Sequence, residues 1–319
     1  MISGTVMSYK FIPSVAIAIC GTITNALSLS YFSSKAKRGL GNNLLMLLNF
    51  LDLSVCLSGL MKIGVERQNK AVKSKYQESD NPAEMLGEYE AWQTARVIAK
   101  LAYRTVVEGT AFVTCVLSVT RTIKFCFVFY KLKKKFVTMA VVGFFIYLII
   151  RETIQAYFQY FVYMKKPLDG YDIELGNWMR GTEIFIVIFI LMISNILSVV
   201  QLTVTKNVAD GEHETEAKKR ATVTVIILSI LFTTFNSMLL TAIVLETIMK
   251  IDLSWDFILW YSVPMNSAVN PIVYLIRIQP MRTHIISRIL ILKQNSLCSG
   301  KDIIIPNTHM HSGNALSFA

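Results

Sequence analysis

Apolar runs long enough to cross a lipid bilayer recur along this chain, and no water-soluble fold accommodates so many. A spanning helix needs about 20 mostly apolar residues to cross ~30 Å of hydrocarbon. Residues 11–32, 184–205, 221–245 and 257–276 hold no charge, and residues 44–61 hold only Asp52. Residues 101–123 hold Arg104, Glu108 and Arg121. Residues 136–150 are uncharged, and that helix is expected to continue through Arg151 and Glu152 to about residue 163. Charged residues make up 17% of the chain, against roughly 25% in soluble proteins. The fold expected is therefore all-α, an integral membrane bundle of seven transmembrane helices.

Charge placement orients such a bundle. With the N-terminus outside, residues 33–43 would lie inside with three basic residues, and residues 121–135 with six, neither stretch holding an acid. Residues 206–220 balance four against four, and the tail adds five basic residues to one acid. The segments left outside balance, apart from Lys10 and a small acidic excess over 246–256. Basic residues collect on the cytoplasmic side of membrane proteins, so the net charge of +11 needs no nucleic-acid partner. The expectation is a multi-pass plasma-membrane protein with its N-terminus extracellular and its C-terminus cytoplasmic. Residues 11–32 exceed the apolar core of a cleaved signal and lack its basic leader, so they are expected to remain as the first helix.

The domain plan is one bundle over residues 11–277, a short outer segment 1–10, a surface helix 278–293 and a tail 294–319. Met281, Ile285, Ile289 and Leu292 recur at helical spacing, with Arg282, Arg288 and Lys293 off that stripe, as in an amphipathic helix on the inner membrane surface. The polar connection 62–95 fits either a short helix before Trp92 or an irregular loop. None of the five cysteines falls in an outer segment, so no structural disulfide is expected.

Polar side chains are costly in lipid, and each one inside a span is a candidate for function or for helix-to-helix hydrogen bonding. Asn25, Asp52, Thr110, Asn266 and Asn270 sit near the middle of their runs. With them come LNFLD (48–52), LSVTR (117–121) closing the third run and NPIVY (270–274) closing the seventh. In order and depth these resemble the landmarks of rhodopsin-like G-protein-coupled receptors, and the resemblance spans roughly residues 11–293. It implies a receptor that passes an extracellular signal to a heterotrimeric G protein. It further implies a hydrated sodium pocket formed by Asp52, Thr110, Asn266, Ser267 and Asn270, sodium acting as an allosteric modulator with no other cofactor. Oxygen ligands suit a hard cation; a protonated Asp52 in a water network is the other reading. Coupling would fall to Arg121, Phe129, Lys218 and Tyr274.

The departures are as informative. Thr120 stands where the family has an acid, Thr122 where it has a tyrosine, and Arg96 where it has a disulfide-forming cysteine. Phe235 to Met238 replace the sixth-helix Trp-x-Pro, and the fourth helix lacks the family's tryptophan and the fifth its proline. With Thr120 beside Arg121 and Lys218, Lys219 and Arg220 opening the sixth helix, an acid-based restraint is missing. Ligand-independent signalling is then expected, unless the Thr120 hydroxyl or sixth-helix packing replaces that restraint.

Tyr103 occupies the position of the amine receptors' aspartate, which favours a peptide or carboxylate-bearing ligand over an amine. Arg104 and Glu108, four residues apart, fit either mutual neutralisation or a ligand site. In the second case Arg104, with Arg151 and Glu152, would bind a ligand carboxylate or a peptide, since a guanidinium matches a carboxylate as a fork. Gln155, Gln159, Glu183, Trp260 and Tyr261 would line the same cavity. No glycine-rich phosphate loop, paired-histidine metal motif or second intramembrane aspartate points to an enzyme. The alternative is a channel or carrier using the intramembrane polar track, which leaves LSVTR and NPIVY unexplained.

Overall fold

The computed structural model describes residues 3–34, 39–79, 82–126, 133–165, 171–205, 212–249 and 255–297. All of its regular structure there is helical: α1 Ser3–Ser34, α2 Leu40–Glu78, α3 Pro82–Cys126, α4 Lys134–Lys165, α5 Tyr171–Thr205, α6 Glu212–Met249, α7 Trp255–Arg277 and α8 Gln279–Leu297. Helices are forced on such a chain because hydrocarbon offers no partner for a backbone amide, so each span must close its own hydrogen bonds. By length and composition, α1 to α5 each contain a segment able to cross a membrane. In α6 the described apolar stretch is Thr222–Met238, part of the longer uncharged run 221–245. The chain is thus a helical protein with several candidate spans, consistent with multi-pass insertion.

The helices close a ring. α1 packs on α2 and α7, α7 on α6, α6 on α5, and α5 on α3, while α3 runs through the centre and also meets α2, α4 and α6. α4 sits at the periphery against α3 and turns Met139, Val142, Ile146, Ile149 and Ile150 outward. Such exposed apolar faces suit lipid. Inside the ring, Leu44, Leu48, Leu51, Val113, Leu117, Leu228, Val273 and Tyr274 form one continuous core. Two glycines set how closely helices approach. A Cβ on Gly21 would lie 2.6 Å from Cys56 Sγ and 3.1 Å from the Ala268 Cβ, where α1, α2 and α7 meet. One on Gly109 would lie 2.7 Å from the Phe145 ring, where α3 crosses α4.

The connection 62–95 is neither a loop nor a single short helix. α2 continues to Glu78, Ser79 turns to an extended conformation, and α3 starts at Pro82. Proline suits a first helical turn, where its missing N–H is not needed. At 1.5 Å per residue, the 39 residues of α2 and the 45 of α3 run to about 58 Å and 68 Å. Both far exceed the ~30 Å that a span needs, and their far ends pack together as an antiparallel hairpin. Tyr76 and Tyr89 stack across it at 4.9 Å.

Of the α8 stripe, the side chains of Met281 and Ile285 are among the described residues, and those of Ile289 and Leu292 lie outside them. Met281 and Ile285 are buried beside Tyr274 and Phe32 in the same core. Among its described side chains, α8 exposes the apolar Ile286, Leu290 and Ile291.

Candidate functional site

Two polar centres lie inside the ring, at different depths along α3. The deeper is organised by Asp52, fully buried on α2. Asn270 Nδ2 donates to Asp52 Oδ2 at 2.7 Å, and the Ser267 hydroxyl lies against the same carboxylate. Asn25 Nδ2 donates to the Ser267 carbonyl at 3.0 Å and to the Gly21 carbonyl at 2.8 Å, tying α1 to α7 at that level. Pro271 lies inside α7 beside this contact.

Several acceptors at this depth are left over. Asp52 Oδ1, Asn25 Oδ1, Asn49 Oδ1 and Asn266 Oδ1 are buried without a hydrogen bond of ordinary geometry. Orphaned buried oxygens are costly, and a set made of a carboxylate and amide oxygens fits a hard cation or ordered water. Of the five residues expected to form a cation pocket, contacts join Asp52, Ser267 and Asn270. Thr110 and Asn266 are also buried, with the Thr110 hydroxyl donated to the Val106 carbonyl at 3.0 Å.

Below this centre, Arg121 is only 7% exposed, between the equally buried Thr120 and Thr122. Thr122 Oγ1 meets Ser194 Oγ at 2.6 Å and Ser198 Oγ at 3.0 Å, a hydroxyl cluster joining α3 to α5. Tyr274 is fully buried, its ring edge-on to Phe32 at 5.6 Å and its hydroxyl without a partner. Lys218 lies in α6 with its side chain outside the described residues, and Phe129 is outside them altogether.

The second centre surrounds Arg151 on α4. Its guanidinium hydrogen-bonds Glu108 of α3, Glu152 of α4 at 2.6 Å and Glu183 of α5, while Tyr147 Oη donates to Glu183 at 2.8 Å. Arg151 is 10% exposed and Glu152 2%. Three carboxylates therefore occupy the fork that was expected to receive a ligand carboxylate, and Glu108 reaches across to α4. Glu183 belongs to this cluster as an ion-pair partner of Arg151. The sequence marked Glu108, Arg151 and Glu152 as charges inside spans and Glu183 as a cavity residue, but gave no sign of their convergence.

Tyr103 is buried with Val55 and Val263, between α2 and α7, and the Lys62 ammonium sits 5.0 Å over its ring. Arg104 and Gln155 are half-buried on α3 and α4. Trp260 and Tyr261 lie in α7 with side chains outside the described residues, and the Gln159 side chain is outside them too. No known protein family matches this chain, and no curated protein is similar to it in sequence.

Proposed function

We propose that the chain is a seven-span receptor of the rhodopsin-like G-protein-coupled type, inserted in the plasma membrane with its N-terminus outside. The observation that carries this reading is the Asn270–Asp52 hydrogen bond. It brings the NPIVY segment against the LNFLD segment in the interior of a ring of helices, with Asn25 docked on Ser267 beside it. A shape-only or carrier protein gives no reason for that convergence. A receptor does: polar groups shared by α2 and α7 form an element with two arrangements, and ligand and G protein each favour one of them. Arg121 and Tyr274, buried below, are the groups such a rearrangement exposes to a G protein.

In this reading sodium binds the Asp52 carboxylate with the Asn266, Ser267 and Asn270 oxygens and holds the inactive arrangement. The protein transduces rather than catalyses, and its partners are the bilayer, a heterotrimeric G protein and an extracellular ligand. The test is nucleotide exchange on purified heterotrimers of each class with the protein in nanodiscs, with and without sodium, alone and against peptides and small carboxylates. The reading expects exchange above that of empty discs, lost in Arg121→Ala and made insensitive to sodium in Asp52→Asn. Exchange equal to empty discs for every heterotrimer, with every ligand, would sink it.

A further inference from the structure

Among the described residues, α4 and α5 each pack on α3 but hardly on each other. On one side Phe112 of α3 stacks on Phe144 of α4 at 3.8 Å, and on the other Cys115 of α3 packs with Leu191 of α5. The two outer helices meet where Tyr147 Oη donates to Glu183 and the Arg151 guanidinium reaches the same carboxylate. From that junction towards the start of α4, neither helix covers the other.

Helical periodicity gives the walls of the crevice left between them. Lys133, Phe136, Ala140, Gly143 and Tyr147 recur at spacings of three and four, so they share one face, and all are exposed. A Cβ added at Gly143 would meet nothing within 4 Å, so that face is open at its middle. On α5, Ile186, Ile190 and Ile193 continue the face of Glu183 at the same spacings, and they too are exposed. Because Tyr147 and Glu183 hold the two faces towards each other, these residues border one crevice, with α3 as its floor. Phe136 to Tyr147 spans 11 residues of rise, about 16 Å. One leaflet offers ~15 Å of hydrocarbon, half of the ~30 Å core. Both walls belong to candidate spans, Lys134–Gln155 and Gly181–Val204. The crevice therefore has the depth of a single acyl chain.

Charge decides which lipid fits. Lys133 heads the apolar stripe, with Lys134 and Lys135 beside it, all three exposed. No acid stands in the first turn of α4, so these ammonium groups add to the positive end of its helix dipole. Lysines at the cytoplasmic end of a span are ordinary; these stand at the mouth of a crevice one chain deep. Basic groups beside spanning helices bind anionic headgroups. We propose that one acyl chain of an anionic phospholipid lies in the α4–α5 crevice between Phe136 and Tyr147, with its phosphate on Lys133. The proposal needs α4 and α5 to cross a bilayer and is independent of G-protein coupling.

The experiment uses the full chain in detergent, with dioleoyl phosphatidylglycerol and dioleoyl phosphatidylcholine as probes, counted by native mass spectrometry and read by melting temperature. The first lipid bound is expected to favour phosphatidylglycerol by about fivefold or more, and Lys133→Gln with Lys135→Gln should abolish that preference. Lys70→Gln with Lys73→Gln, exposed on α2, should leave it unchanged. Gly143→Leu fills the crevice and should lower occupancy by both lipids severalfold. It should not lower the lipid-free melting temperature, since its Cβ meets no neighbour. Ala140→Leu, on the same face, should act likewise and guards against misfolding of either variant. A preference that survives the lysine changes overturns the proposal. So does lipid binding untouched by both leucine variants, which would leave only headgroup attraction to a basic helix end. If the leucine variants turn a dimer into monomers at unchanged lipid binding, the crevice is an interface between copies and the proposal fails.

Discussion

Arg151 shows how much one residue depends on partners far away in sequence. Its three carboxylates come from three helices, and Glu183 is 32 residues distant. Breaking a buried ion pair by removing one partner costs about 3–5 kcal/mol, chiefly because the other charge is stranded. Arg151→Gln strands three, so its yield of folded protein from detergent should collapse. Adding Glu152→Gln to Arg151→Gln should recover part of the loss, which a double-mutant cycle on thermal stability measures; simple additivity would mean that the two charges do not interact in the folded protein. The sequence flagged Glu108, Arg151 and Glu152 because charges inside spans are rare and costly. It did not show which of them satisfies which, because helical spacing relates neighbours on one helix and says nothing across the bundle. Gly109 makes the same point for packing. A methyl there meets the Phe145 ring, so Gly109→Ala should cost about 1–3 kcal/mol of overpacking. Phe145→Leu in the same chain should relieve it, read as recovered melting temperature; no recovery would place the strain elsewhere.

Helix positions were legible wherever apolar runs mark them, and helix lengths were not. The run 44–61 located the membrane part of α2, but polarity after Lys62 reads equally as loop or as solvated helix, and tertiary pairing decides between them. Here α3 supplies the pairing, with Tyr76 on Tyr89 and a buried Val72 along the seam. α3 starts at Pro82, a residue suited to a first helical turn. The Thr122 cluster is a second interhelical device invisible in sequence, since Ser194 and Ser198 look like any serines on α5. Hydrogen bonds between membrane helices contribute roughly 0.6–2 kcal/mol. Thr122→Val should therefore lower the melting temperature by that equivalent, and Thr122→Ser should not. If α5 must swing from α3 for coupling, Thr122→Val should also raise basal nucleotide exchange. A drop in stability with unchanged exchange would make the cluster a fastener with no part in signalling.

At the scale of the whole molecule, the span count rests on α6 and α7. α1 to α5 contain apolar segments of adequate length, and the uncharged run 221–245 of α6 holds 25 residues, or about 38 Å of rise. α7, with 23 residues, rises about 35 Å but carries Pro264 and Pro271. Prolines inside spanning helices are tolerated when neighbouring helices satisfy the freed carbonyls. Both helices are built into the ring, α6 between α5 and α7, and α7 between α6 and α1. A helix lying flat on the membrane surface would not bring Asn270 to a carboxylate at the centre of α2. The proposed receptor requires seven spans, with the two termini on opposite faces. Five spans would also separate the termini, so tags at the ends alone do not distinguish the two. Single cysteines at Asn207 and Asp252, in a background freed of the native five, do distinguish them when labelled with a membrane-impermeant maleimide. Seven spans with the N-terminus outside require Asp252→Cys to react on intact cells. Asn207→Cys and a C-terminal tag must then become reactive only after permeabilisation. Reaction of both cysteines from one side would show that α6 does not cross, and a C-terminal tag on the same side as Asp252→Cys would show that α7 does not.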